Sequence, residues 1–313
     1  MTLQSPSSST LRLGTRGSKL ARAQADIVRE ALAARCGFAA ELVAIKTSGD
    51  RMRDRPLAEA GGKGLFAKEL EEALLAEHIE LAVHSLKDLP TILPDGLAIA
   101  AILPREDTRD AFISANARQL HDLPKGARLG TSSVRRAAQI ARRRPDICVV
   151  PLRGNVDTRL GKLDAGEADA IILAYAGLKR LGLQARATSL LPTEIWLPAL
   201  SQGAMGIEMR EQDPRRSTIA AALDDEMTSI AIACERAFQA ALDGSCRTPI
   251  AGLATVADNR LVFRGEVLAP DGSACVDTSL DLALGNNPLA EAAQAGREAG
   301  LAIRDRAQLW LAL

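Results

Sequence analysis

The sequence predicts an α/β chain: two α/β units of like topology, then a smaller α+β unit built on an antiparallel sheet. Three observations predict it. First, "LRLGTRGSKLARAQ" (11–24) and "ARLGTSSVRRAAQI" (127–140) both read as strand, Leu-Gly-Thr turn, serine and helix. Second, "EHIELAVHSLKD" (77–88) and "GEADAIILAYAGLK" (166–179) repeat one another in the same manner. Such recurrence in order is the mark of two units of one plan. Third, beyond Glu226 three strand-like runs follow one another with "DN" and "PDG" turns between them, the pattern of an antiparallel sheet. A chain of 313 residues is long enough for two or three domains with cores of their own.

The elements follow in order. Leu11–Thr15 is a strand. Ser18 caps a helix whose apolar stripe is Leu20, Ala23, Ile27 and Ala31. "ELVAIK" is a second strand, and Arg51–Gly64 is polar, glycine-rich and long, a mobile loop. A helix over 65–78 puts Phe66, Leu70, Ala73 and Leu74 on one face, and "IELAVHS" is a strand ending in the polar turn "HSLKDLP". In the second unit "ICVVPL" and "ADAIILA" are strands, and "RGNVDTRLGKLDAGE" and "YAGLKRLG" open helices. The last unit runs from the helix "SIAIACERAFQAAL" through "DGSCRTP" to three strands, "IAGLATVA", "LVFRGEVLA" and "CVDTSLDLAL", and a closing helix from Pro288.

In open α/β units ligands sit beyond the carboxyl ends of the strands. The turns there are Arg16–Ser18, His84–Asp88, Thr131–Arg136 and Arg153–Asn155, and three of the four carry arginine. Arg135 and Arg136 pose the sharpest question. They fall in the first turn of a helix whose N-terminus already carries about half a positive charge. Either they point to water or something anionic sits there. Two such units face to face make a cleft of helix N-termini and guanidinium groups, suited to carboxylate or phosphate. Asp88 is either a turn aspartate bonded to local backbone or a proton-handling carboxylate among cations. Cys246, in a Gly-Ser-Cys turn beside Arg247, is either inert or a loop thiol poised to react. Cys148 and Cys234 read as core residues, and His84 as a strand-end side chain packed on the core. Arg142 to Arg144 read as solvated cations at a helix C-terminus, and Lys162 as solvated too.

Composition narrows the function classes. Apolar content of 47%, charged content of 25% and zero formal net charge are those of a soluble globular protein. That balance and 3% aromatic residues argue against a nucleic-acid binder, which needs a basic footprint and stacking platforms. Five cysteines without Cys-x-x-Cys point to reduced thiols in a cytoplasm. The three histidines make no zinc spacing with them, so no metal is expected. "MTLQSPSSST" is not a signal peptide and reads as a floppy tail. No apolar run is long enough to span a membrane.

The motifs "TRGSKLA", "GGKGLFAKELE", "AVHSLKDLP", "REDTRDAF", "GTSSVRR", "RRPD", "LRGNVDTRLGKLD", "DAIILAYAGLKRLG" and "LPALSQGAMGIE", in that order, closely resemble the porphobilinogen deaminase (hydroxymethylbilane synthase) family. The similarity covers about Leu11 to Pro249 and, more loosely, the rest. The resemblance implies two domains like the type II periplasmic binding proteins and a smaller α+β domain. It divides the chain into 1–103 with 204–222, then 108–198, then 226–313. It implies a monomeric cytoplasmic transferase that joins four porphobilinogen molecules head to tail, releasing ammonia, to give hydroxymethylbilane. It further implies a dipyrromethane cofactor held by a thioether to Cys246, with Asp88 as the catalytic carboxylate. Ser85, Lys87, Thr131, Ser133, Arg135, Arg136 and Gly154 are then expected to bind the cofactor. Arg16, Ser18, Lys63, Phe66, Arg153, Arg159, Arg180 and Gln202 are expected to bind substrate. Glu59 stands where the family often has lysine, and Ser245 where it commonly has glycine. The rival reading is a non-catalytic anion-binding protein of the periplasmic type, against which the extra cysteine-bearing unit argues.

Overall fold

The computed structural model describes residues 10–51, 64, 66–242 and 248–311. The chain begins with β1 (Leu11–Arg16), α1 (Lys19–Ala31), β2 (Ala40–Ile45), α2 (Ser48–Arg51), α3 (Lys68–Leu75), β3 (Leu81–Ser85) and β4 (Leu97–Ile102). It continues through β5 (Asp110–Ser114), β6 (Arg128–Gly130), α4 (Val134–Arg143), β7 (Cys148–Val150), α5 (Val156–Asp164), β8 (Ala170–Ala174), α6 (Tyr175–Arg180) and β9 (Ser189–Leu190). Then come β10 (Met205–Arg210), α7 (Arg216–Leu223) and α8 (Glu226–Ala241). The chain closes with β11 (Ile250–Ala257), β12 (Arg260–Leu268), β13 (Cys275–Ala283) and α9 (Pro288–Leu311).

The strands make two five-stranded sheets and one three-stranded sheet. The first has the order β2-β1-β3-β10-β4, the second β7-β6-β8-β5-β9. In each, three parallel strands lie beside an antiparallel one, β10 or β5, which pairs in turn with the edge strand. The two α/β units therefore share one topology, and the third sheet is an antiparallel meander, β11-β12-β13. Because β10 follows the second unit in the chain and pairs in the first sheet, the backbone crosses between the sheets twice, near 103–109 and 191–204. Both crossings run past the strand ends that carry the candidate site.

Each sheet buries both faces. On the first, Leu13, Val83 and Ile207 meet Ala25 and Val28 of α1 and Ile219 of α7, while Leu70 and Leu74 of α3 cover Ala82 on the other side. On the second, Phe112 and Ile172 meet Ile140 of α4, and Ile171 and Leu173 meet Leu160 and Leu178. The third unit packs α8 and α9 on its sheet around Phe238 and Phe263, whose rings meet edge-on at 4.9 Å.

Several expectations are corrected. The buried stripe of α1 is Gln24, Ala25 and Val28; of the predicted Leu20, Ala23, Ile27 and Ala31, Ala31 packs half-buried against that core, while Ile27 is 39% exposed. Gln24 is tolerated inside because its amide is satisfied by the Ser85 hydroxyl at 2.9 Å. The helix predicted from 65 begins at Lys68, so Phe66 lies in the turn ahead of it. Strands β4, β5 and β10 lie outside the sequence-level assignment. They are short, mostly apolar runs, which periodicity alone does not separate from buried helix. Cys234 is buried, but Cys148 is exposed on the edge strand β7. Arg144 is not simply solvated: it pairs with Asp146 at 2.7 Å and donates to the Leu120 and Leu123 carbonyls. Arg143 donates to the Ile195 carbonyl, and Lys162 stands 3.8 Å from Glu167.

Two buried polar groups carry consequences for stability. His84 packs inside as expected, with Nε2 2.8 Å from Glu208 Oε2 but without hydrogen-bond alignment. Burial, reinforced by Glu208 and opposed by His84, pushes the neighbouring Glu71 carboxyl up to about 7. A carboxyl raised above its ordinary value of 4.5 keeps its proton in the folded chain while the unfolded chain loses it, so it costs stability as pH rises through that interval. Glu71→Gln should therefore gain in Tm relative to the parent between about pH 5 and about pH 8, by thermal melts at both. A difference that shrinks with pH contradicts the assignment. The second group is Asp110 on β5, fully buried, which receives Arg135 Nη2 at 2.8 Å, Arg136 Nη2 at 2.7 Å, Trp196 Nε1 at 2.9 Å and Gln202 Nε2 at 2.9 Å. Removing one partner of a buried ion pair costs about 3–5 kcal/mol. Asp110→Asn should lower the free energy of urea unfolding by that amount, and a loss below about 1 kcal/mol, the range of an exposed pair, would contradict the role.

Candidate functional site

The first strand–turn–helix brings up Arg16 and Ser18. Ser18 is the N-cap of α1, its hydroxyl accepting from Ala21 N at 3.2 Å, a local bond that a serine at this place in the sequence dictates. Arg16, at the end of β1, stacks its guanidinium 4.0 Å above the Phe66 ring, a cation–π contact. β3 ends at Ser85, and a 3₁₀ turn, Leu86–Asp88, carries Lys87 and Asp88 into the cleft. Asp88 is exposed and lines one small cavity with Arg16, Phe66, Gln24, His84 and Ser85. The turn predicted from sequence thus joins Arg16, Phe66, Ser85 and Asp88 at one place.

The facing unit contributes the turn after β6. Ser133 is the N-cap of α4, and Thr131 Oγ1 accepts from Ser133 N at 3.1 Å. Arg135 and Arg136 are buried, and the structure answers the question they pose with a partner not foreseen: both grip Asp110. Arg135 also donates to Gln139 Oε1 at 2.9 Å and to the Leu197 carbonyl at 3.0 Å, and so faces inward. Burial alone would raise the Asp110 carboxyl, but the two guanidinium groups hold it well below the ordinary carboxylate range. After β7, Gly154 adopts φ +118°, a backbone shape only glycine takes easily, and a Cβ there would stand 2.6 Å from Thr158. Arg159, on α5, donates Nε to the Gly154 carbonyl at 2.8 Å, so Arg153, Gly154 and Arg159 form one corner of the cleft.

Lys87 and Gln202 link the two sides. Lys87 Nζ donates to Gln202 Oε1 at 3.3 Å, while the Gln202 amide donates to Asp110 and to the Thr108 carbonyl. Burial pushes the Lys87 ammonium down to about 8, with Asp88 and Asp110 opposing the shift and Arg136 and Arg135 adding to it. Burial likewise pushes Arg159 down to about 10, with Arg136 and Arg153 adding and Asp88 opposing. Lys87 and Arg159 are thus each influenced by Arg136 and Asp88, and Arg159 by Arg153 as well. Arg180 stands apart from that group: it donates to the Gly203 carbonyl at 2.5 Å, on the crossing segment, and burial pushes it down to about 10 against Glu106. Lys63 and Cys246 lie outside the described residues. Asp110 sits inside the "REDTRDAF" motif, yet sequence reasoning assigned it no role. The signal was there: an acid opening an apolar strand, with an arginine-rich helix start opposite.

Lys87 and Arg159, lowered by burial first and by neighbouring arginines second, belong to the donor set that an acid-rich ligand would complete. A dipyrromethane with acetate and propionate side chains has that chemistry, and the residues present fit it. Among the described residues no cluster of His, Cys, Asp or Glu is built to hold a metal ion, and no helix is long and apolar enough to cross a membrane.

Comparison with known proteins agrees with this donor set. The family model described as "Porphobilinogen deaminase, dipyromethane cofactor binding domain" matches residues 11–218, and that of the C-terminal domain of the same family matches 229–305. The porphobilinogen deaminase of Nitrobacter hamburgensis is 53% identical over 298 residues, 94% of this chain and 93% of the relative. That of Paracoccus denitrificans is 50% identical over 300 residues, 95% and 94% of the two chains. Solved structures with similar outline include a putative methionine-binding lipoprotein from Bacillus subtilis, 11% identical with a TM-score of 0.43 over 70% of this chain and 92% of that one. A periplasmic substrate-binding protein of an ABC transporter from Coxiella burnetii is 13% identical with a TM-score of 0.44, over 70% and 94%. Those likenesses are too loose to bear on ligand or activity. The family matches span nearly the whole chain, and the chain belongs to the porphobilinogen deaminase family.

Proposed function

We infer that this chain is a transferase of tetrapyrrole biosynthesis that condenses four porphobilinogen molecules head to tail, with loss of ammonia, into hydroxymethylbilane. The observation that carries the reading is that Lys87 and Arg159, both influenced by Arg136, are placed near Asp88 within the region that matches the family's cofactor-binding domain. When bound, the dipyrromethane supplies a tethered primer whose free pyrrole position accepts the next ring. Cys246 is the residue that would hold it, and Lys87, Ser133, Arg136 and Gly154 line the place where its carboxylates would lie.

The chain's own groups then do three things. Arg16, Arg153 and Arg159 bind and orient the acetate and propionate of the incoming porphobilinogen, each charged hydrogen bond contributing about 1.5–3 kcal/mol. Lys87, anchored by Gln202, adds a compact charge beside Asp88. The Asp88 carboxylate faces the pyrrole N–H, stabilises the positive charge that develops there as the amine leaves, and takes part in removing the proton after the rings join. Phe66, held under Arg16, offers a flat surface to a pyrrole ring. We divide the chain into 1–103 with 204–222, 108–198 and 226–313, a division the three sheets support. A cytoplasmic monomer is the setting the family implies, and the four described cysteines are all free thiols, as a reducing compartment requires.

Two substitutions test the roles. Asp88→Asn should still bind porphobilinogen but turn it over about 10²–10³-fold more slowly, the cost of losing one preorganised charge at a developing cation. Near-normal turnover in a stopped assay of oxidised product absorbance would refute the role. Cys246→Ser should lack a dipyrrole-sized adduct by intact-protein mass and stay colourless with acidic dimethylaminobenzaldehyde. An adduct retained in that variant would exclude the attachment site.

A further inference from the structure

The turn that carries Asp88 is held from behind by a residue of the third unit. Leu86 N donates to the Ala204 carbonyl at 3.1 Å, tying the front of the turn to the crossing segment. The back of the turn is Leu89 and Pro90, whose carbonyls need donors. Arg236, on α8, supplies both: Nη1 donates to the Leu89 carbonyl at 3.3 Å and Nη2 to the Pro90 carbonyl at 2.6 Å. A planar guanidinium bonding two successive carbonyls fixes direction as well as distance, which a single ammonium does not. Ile232, one helical turn earlier on the same face of α8, packs in one cluster with Leu86 and Leu89. Apolar packing alone would therefore dock α8 on the turn, and burying a cation there costs free energy that packing does not require. The carboxylate that acts on Arg236 is Glu208 of β10.

The helix that makes this grip is also the helix that leads directly into the loop bearing Cys246. Next to Arg236, Glu235 holds the two crossings: Arg105 Nη1 at 2.7 Å on one and Ser201 N at 2.5 Å on the other. One turn of α8 thus touches the Asp88 turn and both interdomain segments. The geometry points to Arg236 as a positioning residue, which holds the Asp88 turn at a fixed place against α8 and the crossing segment. It touches no reacting atom. Its effect is transmitted through the backbone of Leu89 and Pro90 to the carboxylate of the residue just before them, Asp88. The inference rests on the roles given above to Asp88 and Cys246.

The test uses the cofactor-loaded enzyme with Arg236→Met, Arg236→Lys and, as a packing control, Ile232→Ala. For each, intact mass gives the fraction carrying the dipyrrole, and kcat and KM for porphobilinogen are measured per loaded molecule beside Tm. Arg236→Met is expected to load its cofactor and keep its KM while kcat falls about 10- to 100-fold, the cost of misplacing a catalytic group by a fraction of an ångström to an ångström. Arg236→Lys, which keeps the charge on which Glu208 acts but bonds one carbonyl, should recover part of kcat. Ile232→Ala should lower Tm and leave kcat as in the parent. If Arg236→Met does not fold, an Arg236→Lys kcat between parent and background supports the inference, and one equal to the parent overturns it. An unchanged kcat in Arg236→Met, or an equal kcat loss in Ile232→Ala, also overturns it. Absence of adduct and turnover in the unsubstituted chain would instead overturn the functional reading beneath it.

Discussion

The buried carboxylate of Asp110 is the interaction on which the rest of the structure depends. It sits on the antiparallel strand of the second sheet and gathers Arg135, Arg136, Trp196 and Gln202. Through Gln202 it reaches Lys87, on the turn after the first sheet. One acid thus connects both α/β units and the segment between them. A lone buried carboxylate would be costly, and so would two buried guanidinium groups. Together with the indole and the amide they offset much of that cost, with Arg135 Nε left without a hydrogen-bond partner.

That node leaves the cleft with a surplus of positive charge. Asp110 is sealed inside with Arg135 and Arg136, whereas Lys87 and Arg159 are each influenced by Arg136 and by the exposed carboxylate of Asp88. In water such crowding is screened. In a partly desolvated cleft burial first, and the neighbouring cations second, lower the pKa of Lys87 and Arg159, a demand for anions. The same field makes Asp88 valuable. Under the proposed reaction it is the carboxylate in the cleft that faces the positive charge of the leaving step. Helix caps at Ser18, Ser133 and Asn155 add oriented backbone dipoles to the same side.

What was legible in the sequence is what is local. Ser18 was readable as a cap because the bond it makes closes within three residues, whereas the second helix offered Thr131, Ser132 and Ser133 alike, and the structure selects Ser133. The likeness of the two α/β units was readable because the strand, turn and helix recur in order. The third sheet was readable from its turns. What depends on partners distant in the chain was not readable. Arg135 and Asp110 lie twenty-five residues apart, Lys87 and Gln202 more than a hundred, and no periodicity links them. The inner face of α1 was misassigned because a buried glutamine looks like a surface residue until Ser85 is placed beside it. Cys148 looked like core because a strand residue was taken to be a covered one, and β7 is an edge. The residues attributed to cofactor and substrate came from the family likeness, and the structure adds the reason several of them are cations.

The central claim is that the cleft holds its cations desolvated and mutually repelling so that a carboxylate-rich primer can relieve them. Lys87 reports on this most directly. Selectively labelled lysine side chains can be titrated by NMR in the cofactor-loaded protein and in a cofactor-free form, with Lys87→Met to assign the signal. Without cofactor, Lys87 Nζ should titrate near pH 8, well under the ordinary 10.5. With the dipyrromethane in place, its titration should move upward. A Lys87 that titrates at the ordinary value without cofactor, or whose titration does not move on loading, would contradict the account.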